Sequence, residues 1–275
     1  MIIDTHSHLN FDAFKNDLEE VTKRTLDSGI WVINVGTKYE TSKRAVEIAE
    51  SFKEGVYSAV GLHPIYAAAE FVKMRTDPDE GEFLIREQDF DKERYKSLAL
   101  SGGKKVVAIG EIGLDYYYKP KTTAKLEQFK EKQKQVFIEQ LDLAKELNLP
   151  LILHCRVAHD DVIEILKLRG EKRGVIHCFT GTLEQAKKYV DLGFYIGLNG
   201  IIFKLPLDEI IKNISLDNIL VETDCPYLTP TPEGNQRNEP IFISHTIQKV
   251  AELKGISFDE VCKITTQNAK KLFKI

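Results

Sequence analysis

The run Val106-Val107-Ala108-Ile109 is apolar at every position and passes directly into Gly110-Glu111. A strand that is apolar throughout, rather than alternating, belongs in a parallel sheet covered on both faces. Reading outward from it, comparable strand-like runs occur at Ile2–His8, Trp31–Gly36, Val56–Gly61, Lys105–Glu111, Pro150–His154, Gly174–Cys178, Phe194–Leu198 and Asn218–Glu222. Helical patterns fall between them at Asp17–Ser28, Thr41–Phe52, Thr123–Leu147, Asp160–Arg169, Leu183–Leu192 and Leu207–Asn213. Strands and helices in regular alternation predict an α/β fold, a closed TIM-type (β/α)8 barrel, with 1–275 as a single domain. Two segments exceed a minimal barrel. Tyr66–Gly103 is a long charged loop or helix insertion after the third strand, holding Thr76-Asp77-Pro78-Asp79-Glu80-Gly81: either an extra helix with a mobile loop or a solvated surface excursion, since charge-rich segments usually face water. Ser257-Phe258-Asp259-Glu260 has the form of a capped helix start.

The 275 residues, 43% hydrophobic and 29% charged, suffice for a sizeable core. No run of about 18 apolar residues predicts a membrane span, and no secretory leader is visible. Four cysteines without a CxxC pair fit a reducing compartment, so the expected location is cytoplasmic, or nuclear in a eukaryote. A net charge of −4 argues against a broad basic face for double-stranded DNA, but not against nucleic acid as a substrate.

Chemistry in such a barrel sits where strands end. The first strand ends in His6-Ser7-His8, with Asp4 beneath; alternation puts both imidazoles on one face. The fourth ends in Glu111, the fifth in His154-Cys155-Arg156, the sixth in His177-Cys178 and the eighth in Glu222-Thr223-Asp224-Cys225. Alternation then turns Cys155, Cys178 and Cys225 away from the interior, as small buried hydrophobes. An N/O ligand set suits Mg, Mn or Zn in a catalytic site. His6, His8, Glu111, His154, His177 and Asp224 are too many for one tetrahedral ion and suit two divalent ions bridged by a carboxylate. Glu111 is the natural bridge, with His6, His8 and Asp224 at one ion and His154 and His177 at the other. A metal-bound hydroxide would be the nucleophile, oriented by Asp224, which would take its proton.

These segments resemble the TatD family of metal-dependent deoxyribonucleases, within the amidohydrolase-like barrel superfamily. The resemblance rests on Asp4-Thr5-His6-Ser7-His8-Leu9, Gly61-Leu62-His63-Pro64, Gly110-Glu111-Ile112-Gly113-Leu114-Asp115-Tyr116, His154-Cys155-Arg156, His177-Cys178-Phe179-Thr180-Gly181, Glu222-Thr223-Asp224-Cys225-Pro226-Tyr227-Leu228 and Arg237-Asn238-Glu239-Pro240, in family order along nearly the whole chain. It implies a two-metal phosphodiesterase acting on DNA, typically a 3′-to-5′ exonuclease on single strands; DNA is the expected partner, no membrane is expected, and no stable protein partner is implied. It places the family's ligands on the same six residues. Where many superfamily relatives use a carbamylated lysine as the bridge, this chain has Glu111. A metal-dependent hydrolase of an ester, amide or lactone outside nucleic acid, and a non-catalytic scaffold, are the alternative readings.

Around this set, His63 is a candidate contact to phosphate or leaving group, or a histidine that shapes its loop. Arg156 is placed to fork onto a phosphate, or to pair with Asp160 or Asp161. Asp115 and Glu222 are candidates to orient metal-bound imidazoles. Tyr116-Tyr117-Tyr118 is a stacking platform or simple packing. Arg237 and Asn238 either close over substrate or tie down their loop, and His159 and His245 read as non-catalytic.

Overall fold

A computed structural model of the chain describes residues 1–72, 79–80 and 89–275. Eight parallel strands follow one another around the sheet in chain order: β1 (Ile2–Ser7), β2 (Ile30–Val35), β3 (Val56–Val60), β4 (Val106–Asp115), β5 (Leu151–Arg156), β6 (Gly174–Ile176), β7 (Phe194–Leu198) and β8 (Ile219–Val221). This is the TIM-type barrel expected from the alternation of elements. Every strand gives the barrel interior at least one buried residue, among them Ile3, Ile33, Ala59, Val107, Ile152, Val175, Tyr195 and Leu220, and Ala269, Leu272 and Phe273 of the last helix close one end. A second, larger apolar cluster fills the space between the sheet and its helices. Burial on both faces explains why the strands read as continuous apolar runs.

The seam between β8 and β1 is closed by side-chain and backbone hydrogen bonds together. Asp4, fully buried, accepts from the Thr223 amide (2.9 Å) and hydroxyl (2.6 Å). The His8 amide donates to the Cys225 carbonyl and the Asp224 amide to the His6 carbonyl, at 2.9 and 2.8 Å. Burial pushes the Asp4 carboxyl up to about 7, against the pull of the Thr223 hydrogen bonds.

Local sequence sets the helix ends. Thr182 and Gln185 exchange side-chain-to-backbone bonds in a capping box before the helix Leu183–Asp191. Ser257 accepts from the Glu260 amide at 3.2 Å, starting Phe258–Phe273 where a cap is expected. The 25-residue helix Thr123–Leu147 turns its apolar stripe to β4 and also buries Gln133 and Gln140.

The insertion after β3 departs from a purely solvated excursion. It follows on from the short helix Pro64–Ala67 and contains the helix Lys92–Ser101, and Glu80 is buried, bonded to the Thr37 and Tyr66 hydroxyls and 3.2 Å from Lys38 Nζ. A carboxylate leaves water only where such partners compensate it. Most of Thr76–Gly81 lies outside the described residues. No helix among the described residues is long and apolar enough to cross a membrane.

Candidate metal centre

Two local irregularities aim the central side chains. Between Asp4 and Ser7, β1 carries one residue more than β2 opposite it, and between Ile109 and Ile112 β4 carries one more than β5. Such bulges re-aim side chains beside functional sites. His6 lies within the first and Glu111 within the second. β4 and β5 are then pinched together at Gly113, where φ is +141° and an added Cβ would stand 2.0 Å from the His154 carbonyl oxygen. Only glycine fits there.

The six residues expected to share a rim do meet. His6 Nε2 and His8 Nε2 are 3.2 Å apart. Asp224 Oδ1 is 3.3 Å from His8 Nε2 and 3.8 Å from His6 Nε2. Metal–nitrogen bonds of about 2.0–2.1 Å give ligand–ligand edges of roughly 3.0–3.4 Å; two edges of the set His6–His8–Asp224 fall in that range, and with a small approach of Asp224 to His6 the set can hold a divalent cation. Glu111 divides its oxygens. Oε2 faces His6 at 3.5 Å and His8 at 3.9 Å, whereas Oε1 faces His154 at 2.7 Å, His63 at 3.4 Å and His177 at 3.6 Å. All of these side chains are buried or nearly so. His177 stands between the halves: its ring stacks on His6 at a centroid distance of 3.6 Å, and it groups with His6 and Glu111 rather than with His154 alone.

Electrostatics follow from burial opposed by pairing. Burial disfavours the charged imidazole of His177, yet Glu222 and Asp224 prevail and hold it at about 10. Burial likewise opposes charge on His154, but Asp115 and Glu111, one at each ring nitrogen, raise it to about 9. Glu111 is held well below the usual carboxylate range, because its histidine partners outweigh its burial. Asp224 is lowered for the same reason, by His177 and His8. Without a metal, imidazolium protons supply the positive charge that the carboxylates require.

His63 has a defined tautomer. Its Nδ1 accepts from the Ile65 amide at 3.1 Å, capping Pro64–Ala67, so the proton of the neutral ring is on Nε2. Although His63, Asp115 and His154 lie close enough to grip an ion, that tautomer makes His63 a donor facing Glu111. One nitrogen therefore shapes the loop, as one of the expected alternatives has it, and the other faces Glu111 at the rim.

Several expectations are corrected. Cys178 does not turn away. β6 stops at Ile176, Cys178 takes φ +45°, and its Sγ comes within reach of His177 and Asp224, so strand alternation no longer governs it. Cys155 and Cys225 are buried as expected. Arg237 does not reach over the rim: its guanidinium donates to Asp17 (2.6 and 2.9 Å), Glu239 (3.0 Å) and the Ala13 carbonyl. Asn238 is fully buried and donates to the Thr223 and Tyr227 carbonyls, so both residues tie down their loop, one of the two expected alternatives. Arg156 pairs with neither Asp160 nor Asp161 and lies instead over the Tyr117 ring. His159 packs with Phe179 and faces Tyr189 Oη at 3.2 Å, and His245 is 2.5 Å from Glu233.

Supports that sequence reading missed include Gln133 and Gln140. The Gln140 amide grips both Leu62 backbone groups (2.7 and 3.0 Å), and Gln133 grips both of Asp115 (2.9 and 3.1 Å). Their signal was available: two polar residues seven apart, interrupting the apolar face of one helix. Glu222, fully buried, places Oε1 2.9 Å from His177 Nδ1 and takes hydrogen bonds from the Cys178 amide and Asn199.

A family model described as TatD related DNase matches residues 3–274. The chain belongs to the TatD family. Among its TatD-family and metal-dependent hydrolase relatives, the uncharacterized metal-dependent hydrolase YabD of Bacillus subtilis is 40% identical, with all of both chains covered. The 3′-5′ ssDNA/RNA exonuclease TatD of Pantoea ananatis is 32% identical over 99% of each chain. The crystal structure of the Escherichia coli TatD homolog YJJV superimposes with a TM-score of 0.84 at 32% identity, covering 100% of this chain and 98% of the other. This TatD-family chain is thus a metal-dependent hydrolase of the deoxyribonuclease family, acting on ester bonds.

Proposed function

We propose that the protein is a two-metal 3′-to-5′ exonuclease acting on single-stranded DNA. The observation that carries this reading is Glu111, whose two oxygens face different sets of histidines on one rim. The deoxyribonuclease family assignment and the exonuclease relative support it. His6, His8, Asp224 and Glu111 Oε2 would hold one divalent ion; His154, His177 and Glu111 Oε1 would hold the other. When bound, such ions neutralise phosphate charge and make water a competent nucleophile near neutral pH. Asp224, kept ionised by His177 and His8, orients the attacking water and accepts its proton. His63 presents an Nε2 proton toward the rim, where it steadies a phosphate oxygen or the departing oxygen.

A 5′-labelled single strand incubated with the metal-loaded protein and Mg, Mn or Zn tests the reading. A ladder shortening from the 3′ end is expected. Protein of verified metal content that leaves every strand intact, or hydrolyses an acyl ester faster than DNA, overturns it.

A further inference from the structure

Directly after Asp115, the rings of Tyr117 and Tyr118 stand half in solvent, 52% and 50% exposed. They meet edge to face, centroids 4.9 Å apart at 89°. The Arg156 guanidinium covers one of them, its Cζ 3.6 Å from the Tyr117 centroid and 5.9 Å from that of Tyr118. Among the described residues no carboxylate pairs with this arginine. Asp161 is taken by Lys134 and Tyr116, and Asp160 by Gln185. The next residue, Val157, is 61% exposed and takes φ +58°, a conformation that β-branched residues rarely adopt. A charged plane, two aromatic faces and a forced backbone thus gather at one exposed edge.

That edge is joined to the candidate metal centre. Asp115 accepts the Tyr117 amide through Oδ1 at 2.8 Å, while its Oδ2 faces His154 Nε2 at 3.1 Å. The Tyr116 amide donates to the Arg156 carbonyl at 2.9 Å, locking the two strand ends together. A phosphodiester at the metal centre would have its neighbouring nucleotide beside these rings.

We propose that Tyr117, Tyr118 and Arg156 form a stacking platform for an unpaired base next to the bond that is cut, an inference that rests on the nuclease reading above. Aromatic and guanidinium planes accept any base by its π-face. A base inside a duplex has no free face to offer. The platform therefore selects for the presence of an unpaired base, with little regard to its identity, while the Arg156 charge favours the adjoining phosphate.

The test compares kcat and KM of metal-loaded protein on two single strands: one fully base-bearing, the other with tetrahydrofuran residues flanking the principal cleavage position. Wild type should favour the base-bearing strand by about tenfold or more in kcat/KM, mainly through KM, as expected for loss of base–aromatic stacking. Tyr117→Ala/Tyr118→Ala should bring that ratio close to one, and Tyr117→Phe/Tyr118→Phe should restore it. Arg156→Gln, at an exposed position, should shift it in the same direction as the double alanine variant. A wild-type ratio of one, or an unchanged ratio in the folded double alanine variant, overturns the platform and leaves the nuclease reading standing. Failure of wild type to cut either strand overturns that reading, and the platform with it.

Discussion

Glu222 Oε1 lies 2.9 Å from Nδ1 of His177, so this ring meets Glu111 and Asp224 through Nε2. A carboxylate behind an imidazole fixes the ring's orientation and strengthens it as a ligand; removing such a partner typically costs about 10–100-fold in metal affinity. Glu222→Ala should lose affinity on that scale, measured by titrating metal into the stripped protein. Glu222→Gln, which retains an acceptor, should lose less. Equal affinity in wild type and the alanine variant would exclude Glu222 from supporting the site.

Metal uptake should depend steeply on pH. His154 and His177 sit at about 9 and 10 in the metal-free chain, above the ordinary histidine value. Near neutral pH a cation must therefore displace protons, and affinity should rise with pH through this range. Calorimetry in buffers of different ionisation enthalpy should register proton release near pH 7.5. The sign reverses for metal-free stability. Raised folded-state values stabilise the fold most fully below about pH 6.5, the ordinary histidine range, and the gain fades as pH climbs through 9 to 10.

Glu111→Ala removes a carboxylate whose two oxygens face different histidine groups, His6 and His8 on one side and His154 and His177 on the other. The variant should fold, lose metal-dependent cleavage, and bind fewer ions by elemental analysis. His6→Ala/His8→Ala should lose cleavage with the barrel retained by circular dichroism. Retained turnover in either would refute the assigned ligand set.

Gln140→Leu keeps much of the side-chain volume but strands the amide and carbonyl of Leu62 in a buried position. Leaving buried polar groups unpaired costs about 1–3 kcal/mol each. Denaturant unfolding should report a loss of that order, with catalysis at moderate temperature impaired through the displaced His63 loop.

Asn238→Ala should act on stability. It deletes two hydrogen bonds to carbonyls beneath the β8 rim, at 2.9 and 2.6 Å, and a destabilisation of about 1–3 kcal/mol is expected. KM for DNA should stay close to wild type at temperatures where the variant is folded. A large KM effect with unchanged stability would return Asn238 to the substrate side.

The residues show where sequence reading works and where it stops. Phe194–Leu198 is a strand at the bounds its apolar pattern implies, because both faces are buried along its length. β4 runs on to Asp115, past the expected end at Glu111, because Gly110 and Gly113 look like breakers yet serve a bulge and a pinch against β5. The six rim residues were legible because strand ends are where a barrel gathers its chemistry. Cys178 was misplaced because alternation was carried past the strand's last residue. Glu80, Gln133 and Gln140 are polar residues buried by long-range partners, and local pattern carries no record of those partners. For Arg237 the two alternatives stayed open because its partner Asp17 is 220 residues away in sequence.

The Asp4–Thr223 closure has a consequence for synthesis. His6 and His8 leave the ribosome more than two hundred residues ahead of Thr223 and Asp224. A partly made chain therefore carries both histidines but lacks Asp224, and its first strand has no β8 to close against. The hydrolytic centre comes into being only when the two ends of the sheet join, so an incomplete product is disarmed by topology.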